Sequence, residues 1–182
     1  MKRTLLLNTL LLTFILTFTS YAQEIVEAPK PKASPVAISK IMVGETYIKV
    51  VYGQPLKKNR VVFGELVPYG QVWRTGANDA TEIHFTTAVM FSGKKVEAGM
   101  YALFTIPGKE SWTIILNRAL GQHGSFQYDK KDDYIRVMVP VVKSKKIYEA
   151  FTISLLKSDV GASMVMNWDD VSVLIPIKPV TK

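Results

Sequence analysis

The sequence predicts an all-β protein, a single antiparallel β-sandwich of jelly-roll type over residues 36–178. Two observations carry that expectation. About nine or ten short runs rich in β-branched and aromatic residues recur at regular spacing, separated by Gly, Pro, Asn, Asp and Ser, as in folds built from hairpins. No segment after Ala22 keeps an apolar period of 3.6 residues through three turns, which removes the amphipathic helix as a building unit. No internal repeat accompanies the pattern. With no cysteine among 182 residues, the core alone must hold the fold.

The chain opens on a segment with the marks of an export signal. Lys2 and Arg3 precede an apolar run from Leu5 to Phe18, and Ser20-Tyr21-Ala22 offers the small residues a signal peptidase reads. Residues 1–22 are therefore read as a cleaved signal peptide. The run is shorter than the roughly 20 residues a membrane-spanning helix needs, so the mature protein is expected in the periplasm or outside the cell, without a transmembrane segment. The absence of Cys excludes a lipid-modified cysteine at the cleavage point. Residues 23–35, rich in Pro, Lys and Ala, read as a flexible tether.

Strands follow in order. Ile38–Val43 and Thr46–Tyr52 flank Gly44-Glu45 as a hairpin, with Ile48, Val50 and Tyr52 on the buried face. Thr81–Phe85 alternates, sending Ile83 and Phe85 one way and Glu82 and His84 the other. Ala88–Phe91 meets a turn at Ser92-Gly93-Lys94-Lys95. Gly99–Ile106 is apolar on both faces, as a central strand covered on both sides would be, and Trp112–Leu116 returns as its partner after Pro107–Glu110. Tyr134–Val139, Ile147–Leu156, Ala162–Trp168 and Val171–Ile177 complete the set, the last two joined across Asp169-Asp170 as a tight hairpin. Met90, Met100, Met138, Met164 and Met166 fall on strands and are read as core filler.

Two long connections interrupt the strands, one running from Gly64 into the strand that ends at Phe85, the other Asn117–Asp133. The first is too rich in Gly, Pro and Asn for a regular element, yet it carries Tyr69, Trp73, Arg74 and Asn78. Long irregular connections inside a compact domain are usually functional or pack as structures of their own. The strings Val67-Pro68-Tyr69-Gly70-x-Val72-Trp73-Arg74-Thr75-Gly76-Ala77-Asn78, Ala98-Gly99-x-Tyr101 through Gly108, and Trp112–Asn117 resemble a family of secreted proteins common in Bacteroidota and classed as a domain of unknown function. The likeness runs from about Ser34 to Ile177. It implies an exported all-β domain and carries no activity with it.

Charge narrows the partners. Loss of residues 1–22 removes Lys2 and Arg3 and no acid, leaving 21 basic against 15 acidic side chains, a net charge of +6. Outside the cytoplasm that balance points to anionic envelope polymers or lipid head groups. Nucleic acid is not expected, because the lysines are spread in pairs (57/58, 94/95, 130/131, 145/146) with no dense basic stripe. Such pairs also suit turns and edge strands, where Lys discourages sheet-to-sheet aggregation.

The candidate ligand-binding set is Tyr69, Trp73, Arg74 and Asn78, bordered by His123 and Tyr128. Arg presents a planar fork of donors that grips a carboxylate or sulfate, and flat aromatic faces stack on sugars. The same fork could instead satisfy loop carbonyls or an acid such as Glu65, Asp79 or Glu82, with Trp73 plugging the end of the fold. Glu82 and His84, two apart on one strand face, would need His123 to complete a metal or acid–base set. Ser125, His123 and Asp129 lie too close in sequence for triad geometry, no Gly-x-Ser-x-Gly elbow is present, and Gly121 and Gly124 lack the Gly-Lys-Ser/Thr of a phosphate loop. The sequence thus favours a non-enzymatic binding module for a glycan or other anionic envelope component, with no metal and no cofactor. Its alternatives are a metal-dependent or hydrolytic enzyme using Glu82, His84 and His123, and a structural or partner-docking envelope protein.

Overall fold

The computed structural model describes residues 30–180, so the export signal, the cleavage point and the first part of the tether (residues 1–29 in all) lie outside the described residues. The chain divides into a unit ending at Pro31 and one beginning at Lys32, and the fold is that of the second. It is all-β and antiparallel. Its strands are β1 (Val36–Val43), β2 (Thr46–Gly53), β3 (Thr81–Phe85), β4 (Val89–Phe91), β5 (Lys94–Val96), β6 (Gly99–Ile106), β7 (Ser111–Asn117), β8 (Asp133–Ser158) and β9 (Gly161–Pro179). A single 3-10 turn, Lys130–Asp132, precedes β8. The nine form one hydrogen-bonded order, β1-β2-β3-β6-β7-β8-β9-β4-β5.

Local chemistry sets most of these elements. Gly44 takes a φ of +57° between the closing pair Val43 and Thr46, as a two-residue hairpin requires. Ser92 and Gly93 are both left-handed between Phe91 and Lys94, closing the short β4–β5 hairpin. Ile48, Val50 and Tyr52 are buried as their alternation predicts, as are Ile83 and Phe85, and β6 is buried from Tyr101 through Thr105. Met164 and Met166 fill the core, whereas Met100 and Met138 are exposed and Met90 only half-buried. Those three side chains occupy strand positions that face away from the core, which a hydrophobicity count along one strand does not reveal.

The last four predicted strands are two long ones. Asp169-Asp170 is not a hairpin turn; it sits within β9, where Asp169 adopts a φ of +54° opposite Tyr148 at an irregularity in the β8–β9 ladder. A pair of short polar residues suits a bulge as well as a turn, because Asp tolerates the left-handed region. The carboxylates are held there by Lys57, which pairs with Asp169, and by Lys143, which pairs with Asp170.

β8 belongs to two ladders: Asp133–Pro140 pairs with β7, and Val141–Ser158 pairs with β9. The change of partner falls at Pro140, which has no N–H to offer a ladder. The sheet curls so that its edge comes round to β8. Three alternate β8 amides facing away from β9 are taken up there: Phe151 N donates to Pro55 O (2.9 Å), Ile153 N to the Tyr52 hydroxyl (3.1 Å) and Leu155 N to Ser39 Oγ (3.0 Å). These contacts satisfy β8 amides that would otherwise be free to pair with another strand, while β1 and β5 remain the edge strands of the order. Inside the curl lies the main core, with Trp112, Trp168, Phe85, Phe91 and Phe151 fully buried. A smaller cluster of Ala80, Ala102, Phe104 and Ile115 occupies the other face of the sheet.

Candidate functional site

The first long connection is stitched to the end of the sheet rather than looped into water. Gly70 N donates to Pro107 O (2.8 Å), Trp73 exchanges both backbone hydrogen bonds with Thr105 (2.8 and 2.9 Å), Ala77 N reaches Gly53 O (3.2 Å) and Thr81 N returns to Arg74 O (3.1 Å). Gly53 permits the approach, since a Cβ at that position would collide with the Ala77 carbonyl. Thr75 and Asn78 hold left-handed φ values of +55° and +63°. The Thr75 turn is pinned by Thr81 Oγ1 donating to its carbonyl (2.7 Å). Non-glycine residues in this region cost of order 1 kcal/mol or more and persist only where the surroundings impose them.

The four predicted site residues separate by role. Trp73 is 7% exposed and belongs to the core. Its ring stacks on Trp168 (5.8 Å between centroids, 19° between planes) and meets Phe151 (5.0 Å), Trp112 (6.0 Å) and Phe63 (6.3 Å) edgewise. Its indole N–H donates to Gly76 O (3.1 Å). With faces and donor committed, the ring stands behind the surface. Tyr69 is 37% exposed beside the β6–β7 turn, with Lys109 Nζ 6.0 Å from its ring centre. Asn78 is half-buried at the end of β2 and donates from Nδ2 to Ser34 O (3.0 Å).

Arg74 lies between them along the chain and is half-buried. Among the described residues its Nε has no hydrogen-bond partner although it is sealed from solvent, and the guanidinium forms no ion pair. Burial alone lowers its pKa. Neither loop carbonyls nor Glu65, Asp79 or Glu82 takes this donor. A buried donor without an acceptor is uncommon in folded proteins and calls for a reason.

The second connection meets the first. Gly124 N donates to Asn78 O (3.0 Å), Ala80 N to Gln122 O (2.8 Å) and Gly121 N to Glu82 Oε1 (3.0 Å), while His123 Nδ1 contacts Asp79 Oδ1 at 2.8 Å. The hydrogen bond from His123, assisted by Lys32 nearby, holds the Asp79 carboxyl below its usual range. Gln122, 5% exposed, places its amide nitrogen on Ala119 O (2.7 Å) and toward Asn117 Oδ1 (3.5 Å). Two acceptors around that nitrogen fix the amide's orientation, and they leave Oε1 buried with no partner among the described residues. Sequence reasoning did not single out Gln122, because nothing in its neighbours distinguishes it from a solvated loop glutamine. Tyr128 covers Phe104 and joins a network in which its hydroxyl contacts Asp133 (2.8 Å) and Arg136 (2.5 Å). Burial and the Asp133 carboxylate push the Tyr128 pKa up to about 12.

Glu82, His84 and His123 do not form a metal set among the described residues. Glu82 is engaged by Gly121, His123 by Asp79, and His84 faces Lys49 and Met100 on its neighbouring strands. Among the described residues no three His, Cys, Asp or Glu side chains gather as a metal site would need. Asp129 caps the 3-10 turn through Lys131 N (2.9 Å) rather than orienting His123. A cleft of about 810 Å³ opens elsewhere, between the β1–β2 and β8–β9 hairpin tips, with Glu45, Thr87, Lys157, Asp159 and Val160 in its walls. None of the four predicted residues borders it.

Fold and site together define a single-domain antiparallel β protein whose distinguishing side chains sit on two interlocked connections at one end of the sheet. Residues 34–177 match the family described as "Protein of unknown function (DUF2911)", and the chain belongs to that family. No curated protein and no solved structure matches the chain.

Proposed function

We propose that the protein is an exported, non-enzymatic binding module for a glycan or another anionic envelope component, with Arg74 as the principal contact and Tyr69 and Asn78 beside it. The observation that carries this reading is the Arg74 Nε, a buried cationic donor with no acceptor among the described residues. A carboxylate or sulfate on the ligand would supply the missing acceptor, and a half-buried guanidinium gains more from such a contact than one surrounded by water. Tyr69 offers a partly exposed ring of the kind on which a sugar stacks. Trp73 contributes from behind, by fixing the backbone from which Arg74 projects.

The test is a thermal-shift screen of the protein against acidic and neutral glycans, envelope fragments and divalent metals, since a ligand that binds only the folded state raises its melting temperature. The expected outcome is a rise with acidic glycans that Arg74→Ala abolishes and Arg74→Lys largely fails to restore. A rise that survives Arg74→Ala, or no response to any acidic ligand, contradicts the proposal. The second outcome would favour a structural role for the connection, a reading for which the burial of Trp73 already speaks.

A further inference from the structure

Two of the four lysine pairs scattered along the sequence meet on one surface. Lys57-Lys58 follows β2, and Lys145-Lys146 lies in the irregular middle of β8. The two segments join where Lys57 N donates to Glu149 O (2.7 Å), Lys58 N donates to Glu149 Oε1 (2.8 Å) and Leu56 bridges to Ala150. Lys57 and Lys143 are matched by Asp169 and Asp170. Lys58, Arg60, Lys145 and Lys146 form no ion pair among the described residues, and all four are exposed. One acid stands with them, Glu149, whose Oε1 accepts from Lys58 N, and Lys146 Nζ lies 5.1 Å from the Tyr148 ring centre, so the four cations outnumber the acid that joins the two segments.

The surface is also built. Lys58 and Asn59 adopt successive left-handed φ values of +50° and +58°, a conformation that glycine would take without strain. Arg60 is anchored by Nε to Lys57 O (2.9 Å) and by Nη2 to Leu56 O (2.6 Å), and the residue is exposed. Val61 follows Arg60 along the chain, and Val142 and Ile147 flank the Lys143–Lys146 run, each more than half exposed. Beside exposed cations, such aliphatic side chains give the surface an apolar component that a soluble polyanion would not use.

We propose that this surface docks the protein on an anionic phospholipid membrane, the cations meeting lipid phosphates and the three aliphatic side chains entering the headgroup boundary. Charge complementarity selects an anionic partner, and the accompanying aliphatics select lipid over a soluble polyanion. The surface uses none of the residues proposed to contact a ligand at Arg74, so its test does not depend on that ligand.

Co-sedimentation of the protein, as recovered from producing cells, with vesicles of phosphatidylcholine alone or mixed with phosphatidylglycerol tests the proposal. Binding to the anionic vesicles that weakens with added salt is expected. The variant Lys58→Gln/Arg60→Gln/Lys145→Gln/Lys146→Gln should lower it by roughly a hundredfold or more. The variant Lys94→Gln/Lys95→Gln/Lys130→Gln/Lys131→Gln, with the same loss of charge elsewhere, should lower it far less. Val61→Ser/Ile147→Ser should also weaken it, with melting curves confirming that each variant is folded. If the first variant fails to fold, Lys145→Glu/Lys146→Glu serves in its place. Equal loss in the two charge variants would reduce the effect to net charge, and equal binding to both vesicle types would remove the electrostatic basis. Vesicle binding unchanged in Val61→Ser/Ile147→Ser but displaced by inorganic polyphosphate would identify a polyanion site instead. Each of these three results overturns the proposal.

Discussion

Two neighbouring residues, Trp73 and Arg74, divide the work of the first connection. Trp73 fills the junction among Phe63, Trp112, Phe151 and Trp168, so Trp73→Ala should cost about 3–5 kcal/mol, read from chemical denaturation. Tyr128 offers a spectroscopic check on the interlocked connections. Its pKa is raised from 10.0 to about 12 by burial and by Asp133, so it holds its proton more tightly folded than unfolded. Its contribution to stability is therefore complete below pH 10 and lost as pH climbs toward 12. In an ultraviolet titration at about pH 11 the wild type and Tyr128→Phe should give nearly equal tyrosinate absorbance, because Tyr128 is still neutral there. A deficit of one tyrosinate in the variant would show an ordinary phenol.

Among the elements, the strands were the most legible part of the sequence, because alternation and turn chemistry act locally. Gly44-Glu45 announced its hairpin, and the burial of Ile48, Val50, Ile83 and Phe85 follows from a period of two, whereas Lys94 and Lys95, read as part of the turn after Phe91, belong to β5, because two lysines in a three-residue edge strand carry no strand signal. The sharing of β8 between two ladders was not legible, since partner choice depends on residues far away in the chain. The same limit separated Trp73 from Arg74: both were visible as large side chains in an irregular segment, but only the position of Trp168 and Phe151 shows which one the core takes. The attachment of the connection to β2 can be tested directly. Gly53→Ala would drive a methyl group into the Ala77 carbonyl, so a loss of more than about 2 kcal/mol is expected, whereas Gly44→Asn, at a turn with open space around it, should cost under about 1 kcal/mol. The Asp79–His123 contact joins the two connections. The Asp79 pKa is lowered in the folded state, so its contribution is present above pH 3.8 and fades as pH falls through the folded value. Asp79→Asn should flatten the acid limb of the stability profile below pH 3.8 and lower the melting temperature only slightly at neutral pH.

At the scale of the whole molecule, the curled sheet gathers Phe85, Phe91, Trp112, Phe151 and Trp168 inward, while Arg74 at the capped end and Lys58, Arg60, Lys145 and Lys146 beside β8 are among the cations without an ion pair among the described residues, as are Lys40, Lys49, Lys94 and Lys109 elsewhere. The two proposed sites suit the exported binding module proposed above, and the first step of that proposal is open to mass spectrometry. Protein recovered from producing cells should have the mass of Gln23–Lys182, and an intact Met1 would contradict export by cleavage after Ala22. The central claim is that the fold does not need the Arg74 guanidinium for itself. Its most direct test is the unfolding free energy of Arg74→Ala against wild type, measured in urea without any ligand. Since the buried Nε has no partner to lose among the described residues, the variant should fall within about 1 kcal/mol of wild type or exceed it. A loss of about 3 kcal/mol or more, comparable to that of Trp73→Ala, would show that the arginine holds the connection together and would contradict its role in recognition.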